Sequence, residues 1–229
     1  MNMRPRITAA LFVLTGAAAG WLATGATASD AGMAAANEVS LASYTDFLDN
    51  WLYTHPGDNR GFGPQHDLAR DNIEDFFTSY GLDVTLEPFT YSSVTYYNVV
   101  ATKTGTIYPN QEYIIGAHFD SVDNPGADDN ASGVALVLEA ARILSQYESA
   151  YTIRFIAFDR EEQGLIGSYA YVADHAGDDI LGMISADMVA YNIGTDSATI
   201  HGGSGSTNLK NALTAAVNEY GDGLTPIPS

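Results

Sequence analysis

Four short stretches of this chain carry side chains that could do chemistry. His118 and Asp120 stand two residues apart, Asp128 and Asp129 precede a run of small residues, Glu161 and Glu162 are adjacent, and Asp187 follows Ser185-Ala186. Imidazole nitrogens and carboxylate oxygens are ligands for zinc and similar cations, and a chain with no cysteine has no softer donor to offer. Asp120 is placed to accept a hydrogen bond from the second ring nitrogen of His118 and so to fix its tautomer. Asp129, at a helix start, could bridge two cations. Of the Glu161-Glu162 pair, one could ligate metal while the other faces a substrate. Without cations, so many converging carboxylates would repel one another. Taken singly, each stretch is weak. His-x-Asp is ordinarily a hydrogen-bonded surface pair, Glu-Glu a solvated face, and Asp-Asp-Asn before a helix an N-cap.

What joins them is the set of elements that must position them. Leu41, Tyr44, Phe47, Leu48, Trp51 and Leu52 follow helical spacing, as do Leu68, Ile73, Phe76, Phe77 and Tyr80, the second run closing at Gly81. Between these two runs lies a loop dense in turn formers, from His55 to Pro64. Residues 82–89, 96–102 and 112–117 read as strands, and Ser132–Tyr147 as a well-buried helix. A β-rich run over Tyr151–Asp159 is followed by a helix at 165–175, strands at 180–187 and 197–201, and a helix at 206–220. Alternation of strands and helices with nearly continuous apolar runs predicts an α/β fold, one sheet covered on both faces. In such sheets functional groups gather beyond the carboxyl ends of strands. Gly116-Ala117-His118, Asp159-Arg160-Glu161-Glu162 and Ala186-Asp187 each end a strand, and the Asp128-Asp129 loop lies between the first two.

Composition narrows the classes. The 229 residues include 9 basic and 28 acidic side chains, a formal charge of −19, which argues against a nucleic-acid surface. With no cysteine there is no disulfide, thiolate metal site or catalytic thiol. No Gly-x-Ser-x-Gly elbow and no phosphate-cradling glycine loop occurs. Arg4 and Arg6, an apolar run from Ile7 to Leu22, and Ala26-Thr27-Ala28 describe a signal peptide over residues 1–28, hence a secreted or periplasmic protein. No later window is apolar for long enough to span a bilayer, so no stable membrane association is expected. Residues 29–40 read as a flexible lead.

In order, spacing and context, His118-Phe119-Asp120-Ser121, Gly126-Ala127-Asp128-Asp129-Asn130-Ala131-Ser132-Gly133, Glu161-Glu162-Gln163-Gly164 with Gly167-Ser168, and Ala186-Asp187-Met188 resemble the M28 family of zinc aminopeptidases. The likeness runs from about residue 41 to the last residue. It implies a zinc-exopeptidase fold, a mixed, mostly parallel sheet between helices, with residues 41–229 as catalytic domain. It also implies two Zn2+ ions, His118 and Asp187 holding one, Glu162 the other, and Asp129 bridging both. Glu161 becomes the general base and Asp120 the partner of His118. The implied substrates are peptides or proteins with a free N-terminus. One departure stands out. The family's fifth ligand is a histidine in a late Ser-Asp-His segment that this sequence lacks. His201, in Thr199-Ile200-His201-Gly202-Gly203, does not match that context and reads as a strand-end histidine. The chain is therefore expected to be a fragment whose second zinc site wants its histidine. A related metallo-exopeptidase, a glutaminyl cyclase on the same fold, or a metal- or peptide-binding protein without turnover are the alternatives.

Overall fold

β-Branched and aromatic runs in the middle of the chain form a five-stranded sheet, and the helical runs pack against it. The computed structural model describes residues 28–52, 59–191, 196–221 and 223–229. The expected signal segment lies outside the described residues but for Ala28. In chain order the elements are α1 (Ala28–Asn37), α2 (Leu41–Asp46), α3 (Pro64–Ser79), β1 (Asp83–Tyr91), β2 (Val94–Lys103), β3 (Tyr108–His118), α4 (Gly133–Leu144), β4 (Tyr151–Phe158), α5 (Ile166–Asp174), β5 (Asp179–Ser185), β6 (Ser197–Ile200), α6 (Thr207–Tyr220) and β7 (Thr225–Pro228).

The sheet order is β1-β2-β4-β3-β5. β3 runs parallel to β4 and β5, while β2 is antiparallel to both β1 and β4, so four of the five strands point the same way. The β1–β2 hairpin turns through Ser92 and Ser93, both with positive φ (48° and 65°), the twist that suits a two-residue connection. One face buries Val99, Ala101, Ile115, Ala117, Phe155 and Ala157 against Ile73 and Phe77 of α3 and against α4. On the opposite face Val100, Ile114, Ile156 and Phe158 meet Tyr171 of α5. Both faces are covered because alternate residues of β2, β3 and β4 are apolar in both directions.

In α4 every residue but Arg142 is buried. Its one acidic member, Glu139, is compensated by Arg142 (2.8 Å), the Ser43 hydroxyl (2.7 Å) and the Ser40 backbone N–H (2.7 Å).

Three segments differ from the sequence expectation. Residues 29–40, read as a flexible lead, are helical over Ala28–Asn37, and Ala35 is fully buried in the core. The small side chains that looked unable to bury anything are what let α1 approach closely. The first apolar helical run tightens only as far as Asp46 and then widens into a π-helical turn, Phe47–Leu52. That turn leaves Trp51 40% exposed with its indole N–H on Asp46. Thr225–Pro228, past the last element read from the sequence, is β7, pairing in parallel with β6 in a separate two-stranded sheet. Thr225 and Ser229 donate to Asp196 and Ile200, and the prolines fall between them, where no N–H is needed. Among the described residues no helix is long and apolar enough to cross a membrane.

Candidate metal centre

His118 is the last residue of β3, where the strand leaves the sheet, and its side chain is 5% exposed. Its Nδ1 lies 3.2 Å from the Asp120 carbonyl oxygen and 3.4 Å from Asp120 Oδ1. Both are acceptors, which assigns the proton to Nδ1 and turns the Nε2 lone pair outward. Around Nε2 stand Asp129 Oδ1 at 3.2 Å, Glu161 Oε2 at 3.8 Å and Asp187 Oδ1 at 4.0 Å. Ligand atoms of His118, Asp129 and Asp187 all lie within 4.8 Å of one another. These residues arrive from the end of β3, from the wide turn Ala127–Ser132, and from beyond the end of β5.

Asp120 binds this cluster to the β4 exit. It is fully buried and accepts the backbone N–H groups of Glu161 (3.0 Å) and Glu162 (3.2 Å), one on each oxygen. The Glu162 carboxylate stands outside the three-residue cluster, and the Asp129 charge is the neighbour that acts on it most strongly.

The electrostatics are those of a site built around positive charge. Burial, reinforced by neighbouring carboxylates, pushes Glu161, Glu162 and Asp187 above the usual carboxylate range. Burial pulls His118 down, but the hydrogen bond and charge of Asp120, with Glu161 and Asp187, outweigh it and push the imidazole up to about 8. His118 Nε2 is buried yet has no hydrogen-bond partner. A buried ring nitrogen without a hydrogen-bond partner amid three carboxylates fits a divalent cation, which would displace its proton, take the lone pair of the neutral ring and remove the repulsion together.

His201 stands apart from this cluster. It is exposed at the end of β6, hydrogen-bonded to the Ser229 hydroxyl, and lines a cleft of about 130 Å3 with Ser206 and Lys210 of the α6 region.

Two positioning groups escaped the sequence reading. Arg60, 1% exposed, donates from Nε to the Phe119 carbonyl (2.7 Å), from Nη2 to Gly126 (2.8 Å), and from Nη1 to Leu52 (3.1 Å) and Pro125. It thereby stitches both ends of the loop between Asp120 and Asp129, with a lowered pKa of about 10 because burial outweighs the Asp120 and Asp129 charges. His66 on α3 places Nε2 2.9 Å from Asp159 Oδ1, both side chains buried, while its ring packs 5.1 Å from Phe119. Asp159 also accepts the Arg160 N–H (2.8 Å) and so shapes the turn that presents Glu161 and Glu162. Arg60 carries no local signal. His66 does, because it falls on the stripe Ala69-Ile73-Phe77, and a histidine on a buried stripe requires a polar partner.

Gly167 belongs to the same support. Asn98 donates to its carbonyl at 2.9 Å and its own N–H reaches the Asp159 carbonyl at 3.0 Å. A Cβ there would collide with both the Asp159 carbonyl oxygen and the Asn98 side chain, so the start of α5 can lie against the β4 end only as glycine.

The fold and the site together define an α/β protein in which His118, Asp129 and Asp187 converge beyond the strand ends as a set of donors that could hold a metal ion. Solved structures share this fold. The aminopeptidase from Aneurinibacillus sp. strain AM-1 superposes with a TM-score of 0.64 at 18% identity, covering 84% of this chain and 85% of that one. A glutaminyl cyclase from Porphyromonas gingivalis does so at 0.63 and 22% identity, covering 84% of this chain and 76% of the other. By sequence, a probable zinc metalloprotease of Pyrenophora teres f. teres is 42% identical over 112 residues, 44% of this chain and 24% of that protein. Leucine aminopeptidase 1 of Coccidioides posadasii is 39% identical over 118 residues, again 44% of this chain and 30% of the relative. The matched region thus spans about a quarter to a third of these relatives. The model of peptidase family M28 matches residues 98–229, and the chain belongs to that family.

Proposed function

We propose that this chain is the catalytic part of an exported zinc aminopeptidase, with residues 1–28 as signal peptide and the remainder as the hydrolytic domain. The observation that carries the reading is the buried Nε2 of His118, without a hydrogen-bond partner, facing carboxylates from two strand exits and from the turn before α4. His118 and Asp187 would hold one Zn2+, Glu162 the other, and Asp129, 3.2 Å from His118 and the charge that acts most strongly on Glu162, would bridge them. Bound zinc supplies Lewis acidity toward the scissile carbonyl and toward water.

The chain's own groups do the rest. Glu161, beside the cluster and partly exposed, takes the proton of the attacking water and returns it to the leaving amine; its pKa, raised first by burial, suits that exchange. Asp120 holds the Glu161 and Glu162 backbone in register with His118. The surplus of carboxylates favours a substrate whose N-terminal ammonium lies at the site, hence removal of the first residue of a peptide.

Glu161→Gln tests the reading. It should retain zinc while turnover on aminoacyl substrates falls by about 10²–10⁴-fold. Full activity in that variant would remove Glu161 from the chemistry, and a pyroglutamyl product from glutaminyl peptides would reassign the site to a cyclase.

A further inference from the structure

The 128–132 turn holds more than a ligand. Past Ala186, whose N–H still reaches the Gly116 carbonyl of β3 at 2.9 Å, the backbone N–H groups of four successive residues, Met188 to Tyr191, all reach side chains of that turn. Asp128 Oδ1 accepts from Ala190 (2.9 Å) and Tyr191 (3.1 Å), Ser132 Oγ from Val189 (3.0 Å), and Asn130 Oδ1 from Met188 (3.4 Å). Asn130 Nδ2 in turn donates to the Ala186 carbonyl at 2.9 Å. Alternate residues therefore point two ways: 128, 130 and 132 to the β5 exit, and 129 to His118. At the start of α4 Ser132 makes no side-chain N-cap bond, and of Asp-Asp-Asn only Asn130 caps the helix, its Oδ1 accepting the Gly133 N–H at 2.9 Å.

The restraint answers a need. Met188, directly after Asp187, has φ of +49°, a conformation non-glycine residues adopt only where surrounding contacts impose it. Asp187 itself carries a side chain that is more than half exposed.

We propose that Asp128 is a positioning residue, whose carboxylate fastens residues 190–191 and thereby holds Asp187 toward His118 and Asp129. Asp128 is outside the ligand cluster and acts through hydrogen bonds to backbone. The proposal rests on the metal reading above for its consequence, but not for its geometry.

The test uses Asp128→Ala and Asp128→Asn. Asparagine keeps the accepting Oδ1 and loses the charge, while Oδ2, buried without a hydrogen-bond partner, is the atom it replaces. In metal-free protein, amide exchange at residues 190–191 should rise at least about tenfold in Asp128→Ala while β3 and β4 stay protected, and should stay near wild type in Asp128→Asn. Zinc affinity, read by chelator competition, should fall about 10–100-fold in Asp128→Ala and be restored in Asp128→Asn. Equal losses in both variants would make the charge responsible and overturn the proposal, as would unchanged exchange in Asp128→Ala or faster exchange with unaltered zinc affinity. Should Asp128→Ala not fold, Ser132→Ala gives the milder version, with faster exchange expected at Val189. Wild-type protein that takes up no zinc would defeat the metal reading, while the exchange pattern would still decide whether Asp128 fastens the segment.

Discussion

Asp120→Asn pits hydrogen bonding against charge repulsion in the buried support of the site. The wild-type carboxylate is fully buried, accepts one N–H on each oxygen, at 3.0 and 3.2 Å, and lies 3.4 Å from His118 Nδ1. Asparagine replaces one oxygen with an NH2 group, so either Glu161 or Glu162 faces a donor where it had an acceptor. A hydrogen bond to a charged acceptor contributes about 1.5–3 kcal/mol, and stranding a buried N–H costs about 1–3 kcal/mol more. The opposing effect is relief of repulsion, since Asp120 helps to raise the pKa values of both glutamates. Those carboxylates are partly solvated, so each such pair is worth about 1 kcal/mol or less. Hydrogen bonding wins, leaving a net loss of about 2–4 kcal/mol. For a protein of this size that lowers the midpoint of thermal unfolding by roughly 4–16 °C. The assay is circular dichroism melting of metal-free protein at pH 7, with wild type alongside. A variant as stable as wild type, or more stable, would show that repulsion dominates and refute the reasoning.

Stability of the metal-free protein should fall between about pH 6 and 9. His118, up at about 8 when folded against 6.5 ordinarily, stabilises fully below 6.5 and loses that contribution as pH rises through about 8. The raised Glu161, Glu162 and Asp187 act with the same sign, their contribution being lost as pH rises through their folded values. Melting at a series of pH values checks this, a flat or rising midpoint contradicts it, and added zinc should cancel the decline. Arg60→Lys should cost about 2–4 kcal/mol in urea unfolding, because three ammonium donors cannot replace a planar fork shared among four carbonyls. A change under about 0.5 kcal/mol would show that the fork is dispensable.

What could be read from the sequence follows from where the physics is local. The apolar runs of β3 and β4 and the helix after Ser132 signal themselves, because strands buried on both faces need continuous apolar residues and α4 needs them nearly all round. That His118, Asp129 and Asp187 come together was legible for a related reason: candidate ligands are particular residue types, and an α/β sheet gathers such groups just past its strands. The fasteners obey another rule. Arg60, Asp128, Asn130 and Ser132 bind backbone 56 to 66 residues away in most cases, and a backbone N–H or carbonyl accepts many partners, so residue type carries little information. The same limit hid β7 and the packing of α1, whose contacts are also distant in sequence. His66 is the instructive exception, since a titratable ring on an apolar stripe announces a buried partner without naming it, and the partner turned out to be the residue that begins the Glu161-Glu162 turn. Candidate ligands are thus marked by residue type together with their joint spacing, whereas the groups that hold them in place are chosen by geometry and become visible only once the chain is folded.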